Sequence, residues 1–210
     1  MKKITIIDYG LGNIKSVQRA FEVSGADVMV TSSYQDISKS EKLILPGVGT
    51  FRDGMLGLQK LKLIDSILDF VNKEKPILGI CLGMQLMLNS SNEFGINTGL
   101  GLINGKVIQI PNESLESKII RKVPHVGWNK LKINKKDSFV LNEVGRDDYF
   151  YFVHSFMAVL DDTKDLLTSS DYEGFEFVSG INKNNIYGLQ FHPEKSGKKG
   201  LQIIKNFISL

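Results

Sequence analysis

The sequence predicts an α/β fold: an open, mostly parallel sheet with flanking helices plus an antiparallel extension, built as a single domain over residues 1–210. Three observations predict it. In the first half, apolar runs of strand length alternate with segments of helical period. In the second half, β-forming residues broken by polar turn clusters dominate. The length is that of one domain, and an apolar fraction of 42% is enough for a sizeable core.

The elements follow in order. Ile4–Ile7 is an apolar run, and Ile14–Val23 carries a helical pattern. Val28–Val30 and Leu43–Leu45 read as short buried strands. Ile64, Ile67, Leu68 and Val71 keep the i, i+3, i+4, i+7 spacing of an amphipathic helix. Pro76–Ile80 is the next strand and Leu82–Leu88 the next helix. Such alternation builds βαβ units whose parallel sheet is covered on both faces. Farther on, Val107–Ile110, Trp128–Ile133, Tyr149–Val159 and Phe175–Ile181 read as strands. Asn182–Asn185 makes a hairpin turn before Ile186–Phe191, and Ile203, Ile204, Phe207 and Ile208 give a closing helix its apolar stripe. There is no repeat, low-complexity tract or linker.

Composition narrows the function. The net charge of +3 is small and scattered, with Lys195, Lys198 and Lys199 the one local cluster, so nucleic acid is not an expected partner. No apolar stretch approaches the ~20 residues that span a bilayer. Met1-Lys2-Lys3-Ile4 enters a strand pattern at once, without a signal-peptide cleavage region. A cytoplasmic protein is expected. One cysteine excludes a disulfide framework and a cysteine-based zinc site.

That cysteine, Cys81, carries the chemistry. It ends an apolar strand inside Gly79-Ile80-Cys81-Leu82-Gly83, with a helix pattern directly behind it. A strand running into a helix through small residues makes a sharp turn that pushes the central side chain out into solvent. A helix N-terminus beside it would stabilise the thiolate. Near the other end, Gln190-Phe191-His192-Pro193-Glu194 offers an imidazole and a carboxylate two residues apart, on the same side of a strand. Cysteine, histidine and glutamate form the nucleophile, base and orienter of acyl transfer. Spacing alone leaves a second reading open, a surface turn without chemistry. Pro46-Gly47-Val48-Gly49 follows a strand and can supply an oxyanion donor, with the Leu82 N–H as a second.

Other motifs carry less. Gly10-x-Gly12 invites a dinucleotide reading, but Lys15 stands where the fingerprint needs a third small residue, which leaves a tight turn. His125 and His154 read as hydrogen-bonded strand residues, and three histidines without clustered carboxylates are a poor metal set. No metal or cofactor is expected. Trp128 could anchor an interface, although the commoner place for a tryptophan is the core.

The segments IDYGLGNIKSV, LPGVG, LGICLGMQL, VPHVGWN, YFVHS and GLQFHPEKSG occur in the same order as in class I glutamine amidotransferases. Over essentially the whole chain the sequence resembles that family, most closely its glutaminase subunits of imidazole glycerol phosphate synthase. The resemblance implies Cys81 as nucleophile, His192 as general base and acid, and Glu194 as its orienter. Val48 or Gly49, with Leu82, would form the oxyanion hole. Gly49, Gln85, Glu93, Ser155 and Phe156 would hold glutamine, with Phe156 standing where a tyrosine is usual. It implies a heterodimer in which a (βα)8-barrel cyclase takes up the ammonia next to Pro124–Asn129. The same catalytic motifs serve paralogues that aminate nucleotide-sugar precursors of surface glycans. A third reading is a non-catalytic binding domain on the same fold.

Overall fold

The parallel half of the sheet follows directly from the apolar runs of the first half. The computed structural model describes residues 2–113 and 120–210. In chain order the elements are β1 (Lys2–Ile7), α1 (Ile14–Val23), β2 (Ala26–Thr31), α2 (Tyr34–Lys39), β3 (Leu43–Leu45), α3 (Phe51–Lys60), α4 (Ile64–Asn72), β4 (Ile77–Ile80), α5 (Leu82–Leu86), β5 (Leu88–Ser91), β6 (Asn97–Thr98) and β7 (Ile103–Gln109). They continue with β8 (His125–Lys130), β9 (Lys132–Ile133), β10 (Tyr149–His154), β11 (Phe156–Leu160), β12 (Leu166–Tyr172), β13 (Phe175–Lys183), β14 (Ile186–Leu189) and α6 (Gly197–Ser209).

The main sheet runs β2-β1-β3-β4-β14-β13-β11-β7-β5-β6. From β2 to β14 every pairing is parallel, and beyond β14 the pairings are antiparallel apart from the parallel pair β5–β7. β12 pairs with β13 and β9 at the side, while β8 and β10 form a separate antiparallel ribbon. Strand side chains alternate between two cores. Ile4, Ile6, Leu78 and Ile80 pack with Phe21 of α1 and Ile203, Ile204 and Phe207 of α6. Leu43, Leu45 and Ile77 point the other way, against Phe51 and Leu58 of α3, Ile67 and Phe70 of α4, and Met84 of α5.

Several expected elements differ in the structure. The expected helix Leu82–Leu88 stops at Leu86, and Leu88 opens β5, because a short buried apolar run has no period that tells helix from strand. Trp128–Ile133 is two strands, β8 and β9, which pair with different partners. Tyr149–Val159 is likewise split at Ser155 into β10 of the ribbon and β11 of the main sheet. α3 was not anticipated. Gly54 and Gly57 lower its intrinsic propensity, yet a Cβ at Gly54 would press on Leu86 and one at Gly57 on the Tyr9 carbonyl. Close packing, with the Thr50 hydroxyl capping the Asp53 N–H at 3.1 Å, makes this helix.

α5 packs closely against both β4 and β3. A Cβ on Gly79 would stand 2.7 Å from the backbone of Gly83 and Met84, and one on Gly83 would overlap the Leu45 carbonyl. Gly83→Ala is therefore expected to lower the unfolding free energy by about 2–3 kcal/mol in urea melts. Gly127→Ala, which meets nothing within 4 Å, should stay within about 0.5 kcal/mol. Equal midpoints for the two variants would contradict this account.

Candidate active site

Cys81 follows β4 without an intervening residue and begins the turn into α5. Its backbone sits at φ 54°, ψ −111°, a region that costs a non-glycine residue about 1–3 kcal/mol. Two hydrogen bonds hold it there: its N–H donates to the Leu189 carbonyl at 2.7 Å, and its carbonyl accepts from the Gln85 N–H at 3.2 Å. The expectation of a side chain standing in solvent is corrected, since Cys81 is 7% exposed. Neighbouring strands rise around the turn, and the residue lines a cleft of about 440 Å³. Val48, Gly49, Leu82, Gln85, Glu93, Ser155, Phe156 and His192 line the same cleft. The helix behind Cys81 has five residues, so few aligned peptides contribute to a macrodipole there.

His192 and Glu194 meet, but not as neighbours along a strand. Residues Pro193–Lys195 form a 3₁₀ turn that His192 caps, and this turn folds the carboxylate back under the ring. Proline at the first position suits it, because no N–H is needed there. Nδ1 of His192 lies 2.8 Å from Oε1 of Glu194, both side chains being buried. The His192 N–H donates to the Tyr151 carbonyl at 2.9 Å, and the Ser196 hydroxyl donates to the His192 carbonyl at 2.6 Å. These bonds fix the ring against β10. Its Nε2 is buried without a hydrogen-bonding partner among the described residues and lies on the Cys81 side. Burial works to lower the His192 pKa, yet Cys81 and Glu194 outweigh it and hold the imidazole at about 9.

The cleft walls are fixed from behind. The Tyr9 hydroxyl donates to the Pro46 carbonyl at 2.7 Å, and a Cβ on Gly47 would collide with that hydroxyl and with Leu82. Burial, with Cys81 nearby, pushes the phenol pKa up, so it remains a donor. Beyond this pinned start, Val48 is 41% exposed and Gly49 takes φ 108° with nothing against it. On the opposite wall, Glu93 Oε2 accepts the Phe51 N–H at 2.6 Å, which places the carboxylate at the start of α3. The Gln85 side-chain amide donates to the Phe156 carbonyl at 3.0 Å. His154 Nδ1 reaches the same carbonyl at 2.9 Å, and its Nε2 lies 3.0 Å from His125 Nδ1. Burial drives His154 down to about 3, with His125 and His192 adding to it, and burial also lowers His125. Both are hydrogen-bonded strand residues, as expected.

Three residues at the site lie outside the expected site residues, His154 being expected only as a hydrogen-bonded strand residue. Tyr9 and His154 lie inside the quoted segments IDYGLGNIKSV and YFVHS. Gln190 precedes His192 by two positions and is fully buried against Cys81. Only their motif membership marked them. Trp128, for which the core is the commoner place, is 52% exposed, because β8 belongs to an outlying ribbon with one face open.

The raised His192 pKa has a stability consequence. The protonated ring stabilises the fold fully below about pH 6.5, and this contribution is lost as pH rises through about 9. Glu194→Gln removes one of its sources. In thermal melts, the deficit of Glu194→Gln relative to the parent should be greatest at the acid end of this window and narrow above about pH 9. A deficit independent of pH would contradict the pairing.

Comparisons with known proteins give the family. The family model described as glutamine amidotransferase class-I matches residues 5–210. Imidazole glycerol phosphate synthase subunit HisH 1 of Legionella pneumophila (strain Lens) is 44% identical, covering 100% of both chains. Subunit HisH 2 of Methanococcus maripaludis is 47% identical over 98% of each chain, and subunit HisH of Aquifex aeolicus 44% identical over 98% of this chain and 95% of its own. Among solved structures, PurLQS from Thermotoga maritima has a TM-score of 0.75 at 20% identity, covering 100% of this chain and 99% of that one, a likeness of fold. A match along nearly the whole length, with Cys81, His192 and Glu194 gathered at one cleft, means that this chain belongs to the class I glutamine amidotransferases.

Proposed function

We propose that this chain is the glutaminase subunit of an imidazole glycerol phosphate synthase, working in the cytoplasm as one domain in a heterodimer with a (βα)8-barrel cyclase. It hydrolyses glutamine and passes the ammonia to that partner for histidine biosynthesis. One observation carries the reading: a cysteine at a strained turn and a buried His–Glu pair meet in a cleft, in a chain whose full-length relatives bear that subunit's name.

The mechanism follows from the positions. Cys81 and His192 share one proton that rests on the imidazole, held at about 9, and the thiolate sulfur attacks the side-chain carboxamide carbon of glutamine. The carbonyl electron pair moves to oxygen, and the N–H groups of Val48 or Gly49 and of Leu82 receive it, each such donor being worth about 3–4 kcal/mol. Collapse of the intermediate breaks the C–N bond, and protonated His192 hands its proton to the departing ammonia. The γ-glutamyl thioester is then hydrolysed by a water that His192 deprotonates. Glu194 keeps the ring oriented throughout. Glu93 suits the α-amino group of glutamine, while Gly49, Gln85 and the backbone at Ser155 and Phe156 frame the rest.

The ribbon supports the placing of the partner. Val126, Trp128 and Tyr149 stand outward on one face of β8–β10, between 50% and 55% exposed. Val153 of the same ribbon lines the cleft, so this face runs up to the site. The loop at Val48–Gly49 is the part left free to adjust, and a partner that aligns it would couple hydrolysis to an occupied cyclase.

The test is glutamate release from glutamine, by the purified chain alone and then with a co-expressed cyclase and its phosphoribosyl aminoimidazole-carboxamide substrate. Strong stimulation by that pair is expected, and Cys81→Ala should lose about 10⁴-fold or more. Cys81-dependent release without stimulation would assign a different acceptor, such as a nucleotide sugar. No release, and no labelling of Cys81 by a diazoketone analogue of glutamine, would leave a binding domain.

A further inference from the structure

Every side-chain amide around Cys81 has its orientation dictated from one backbone atom. The Phe156 carbonyl can only accept, so the Gln85 atom 3.0 Å from it is the nitrogen Nε2. That nitrogen's second hydrogen points to Gln190 at 2.9 Å, so the Gln190 atom there is the oxygen Oε1. The other end of the Gln190 amide is then Nε2, and it lies 3.7 Å from the sulfur of Cys81. Gln190 is 0% exposed, and its backbone N–H is committed to the Ser179 carbonyl at 2.9 Å. Turning the amide over would set nitrogen against nitrogen at Gln85 and oxygen against sulfur at Cys81.

We infer that Gln190 is a catalytic residue, whose amide N–H donates to the sulfur of Cys81 and stabilises the thiolate that attacks the substrate. The role rests on the glutaminase reading above. A donor aimed at sulfur favours the anion over the thiol. The thiol's own proton has other outlets, the Val153 carbonyl at 3.9 Å and the vacant Nε2 of His192. When the proton leaves for His192, the Gln190 contact remains and strengthens, because a hydrogen bond to a charged acceptor is the stronger kind. Gln85 gains a second task. It lines the cleft and also locks the Gln190 amide, so the residue that frames the substrate keeps the nucleophile's donor pointing the right way.

The chain contains one cysteine, which makes the thiolate directly readable. The experiment is the pH dependence of Cys81 alkylation by iodoacetamide in the full chain, for the parent, Gln190→Met and the near-isosteric Gln190→Glu. Other groups facing the site are His192 with Glu194 behind it, Tyr9, His154 and Glu93, and all are unchanged in the variants. Gln190→Met is expected to move the alkylation midpoint to higher pH, slowing the reaction about tenfold at a fixed pH below it. Gln190→Glu should move it further, since a carboxylate opposes the thiolate. With glutamine as substrate, kcat should fall in both variants more than KM rises. Unchanged alkylation midpoints in variants whose thermal melts show them folded would overturn the assignment, whatever the glutaminase assay gives. Shifted midpoints in a parent that releases no glutamate would keep the Gln190 contact and reject the glutaminase reading.

Discussion

The parallel register between β4 and β14 is the constraint on which the site depends. Leu189 stands opposite Ile80, and its carbonyl takes the Cys81 N–H just past the end of β4. Continuing both strands by one residue puts Gln190 beside Cys81, and continuing β14 by three brings His192 to the same edge. One register therefore sets Cys81, Gln190 and His192, the proposed nucleophile, its amide neighbour and its proposed base. A slip by a single residue would turn all three to the opposite face of the sheet. The close contact of Gly79 with Gly83 lets α5 leave the sheet steeply enough for Cys81 to hold its positive φ. That strain persists because the surrounding packing over-determines it.

The electrostatics divide the histidines. His192 and His154 are both buried in the same small region, yet one is held at about 9 and the other driven to about 3. Burial acts on both in the same direction. What separates them is the company of Cys81 and Glu194 on one side and of two other imidazoles on the other. Titratable groups pushed apart by their surroundings mark a division of roles. His192 is the one that can hold and return a proton, and neutral His154 is confined to hydrogen bonding at the Phe156 carbonyl.

Much of this was legible in the sequence where local pattern and tertiary demand agree. α1, β3 and α4 begin where their apolar periods begin, and the turn at Asn184 forms with the left-handed φ that asparagine tolerates. Legibility failed where tertiary contact overrides propensity. α3 contains two glycines because Leu86 and the backbone of Tyr9 need the space. The strands on either side of Ser155 carry the same β-formers but belong to different sheets, and composition holds no record of which partner a strand takes. At the site, Cys81, His192 and Glu194 are legible as chemistry, but the 3₁₀ turn that joins the last two follows a strand without any local signal that separates it from that strand's end. Gln190 was visible only as a neighbour, because a glutamine becomes informative once its amide has a direction.

The loop at Pro46–Gly49 divides into a fixed and a free part, and the division has a physical reason. Its first half is built into the core: the Pro46 carbonyl is bonded by Tyr9, and the missing Cβ of Gly47 is filled by that hydroxyl and by Leu82. Its second half is looser, with Val48 partly in solvent and Gly49 at a φ that other residues avoid, with open space where a Cβ would stand. A peptide flanked by glycine on a rigid anchor can rotate at low cost without disturbing the strand behind it. The Cys81 side is the opposite case, since this residue is clamped by Leu189, Gln85 and Gln190. In the proposed reaction, attack geometry is thus stored in the fold, and the stabilisation of the developing charge falls to the loop half that the core does not hold.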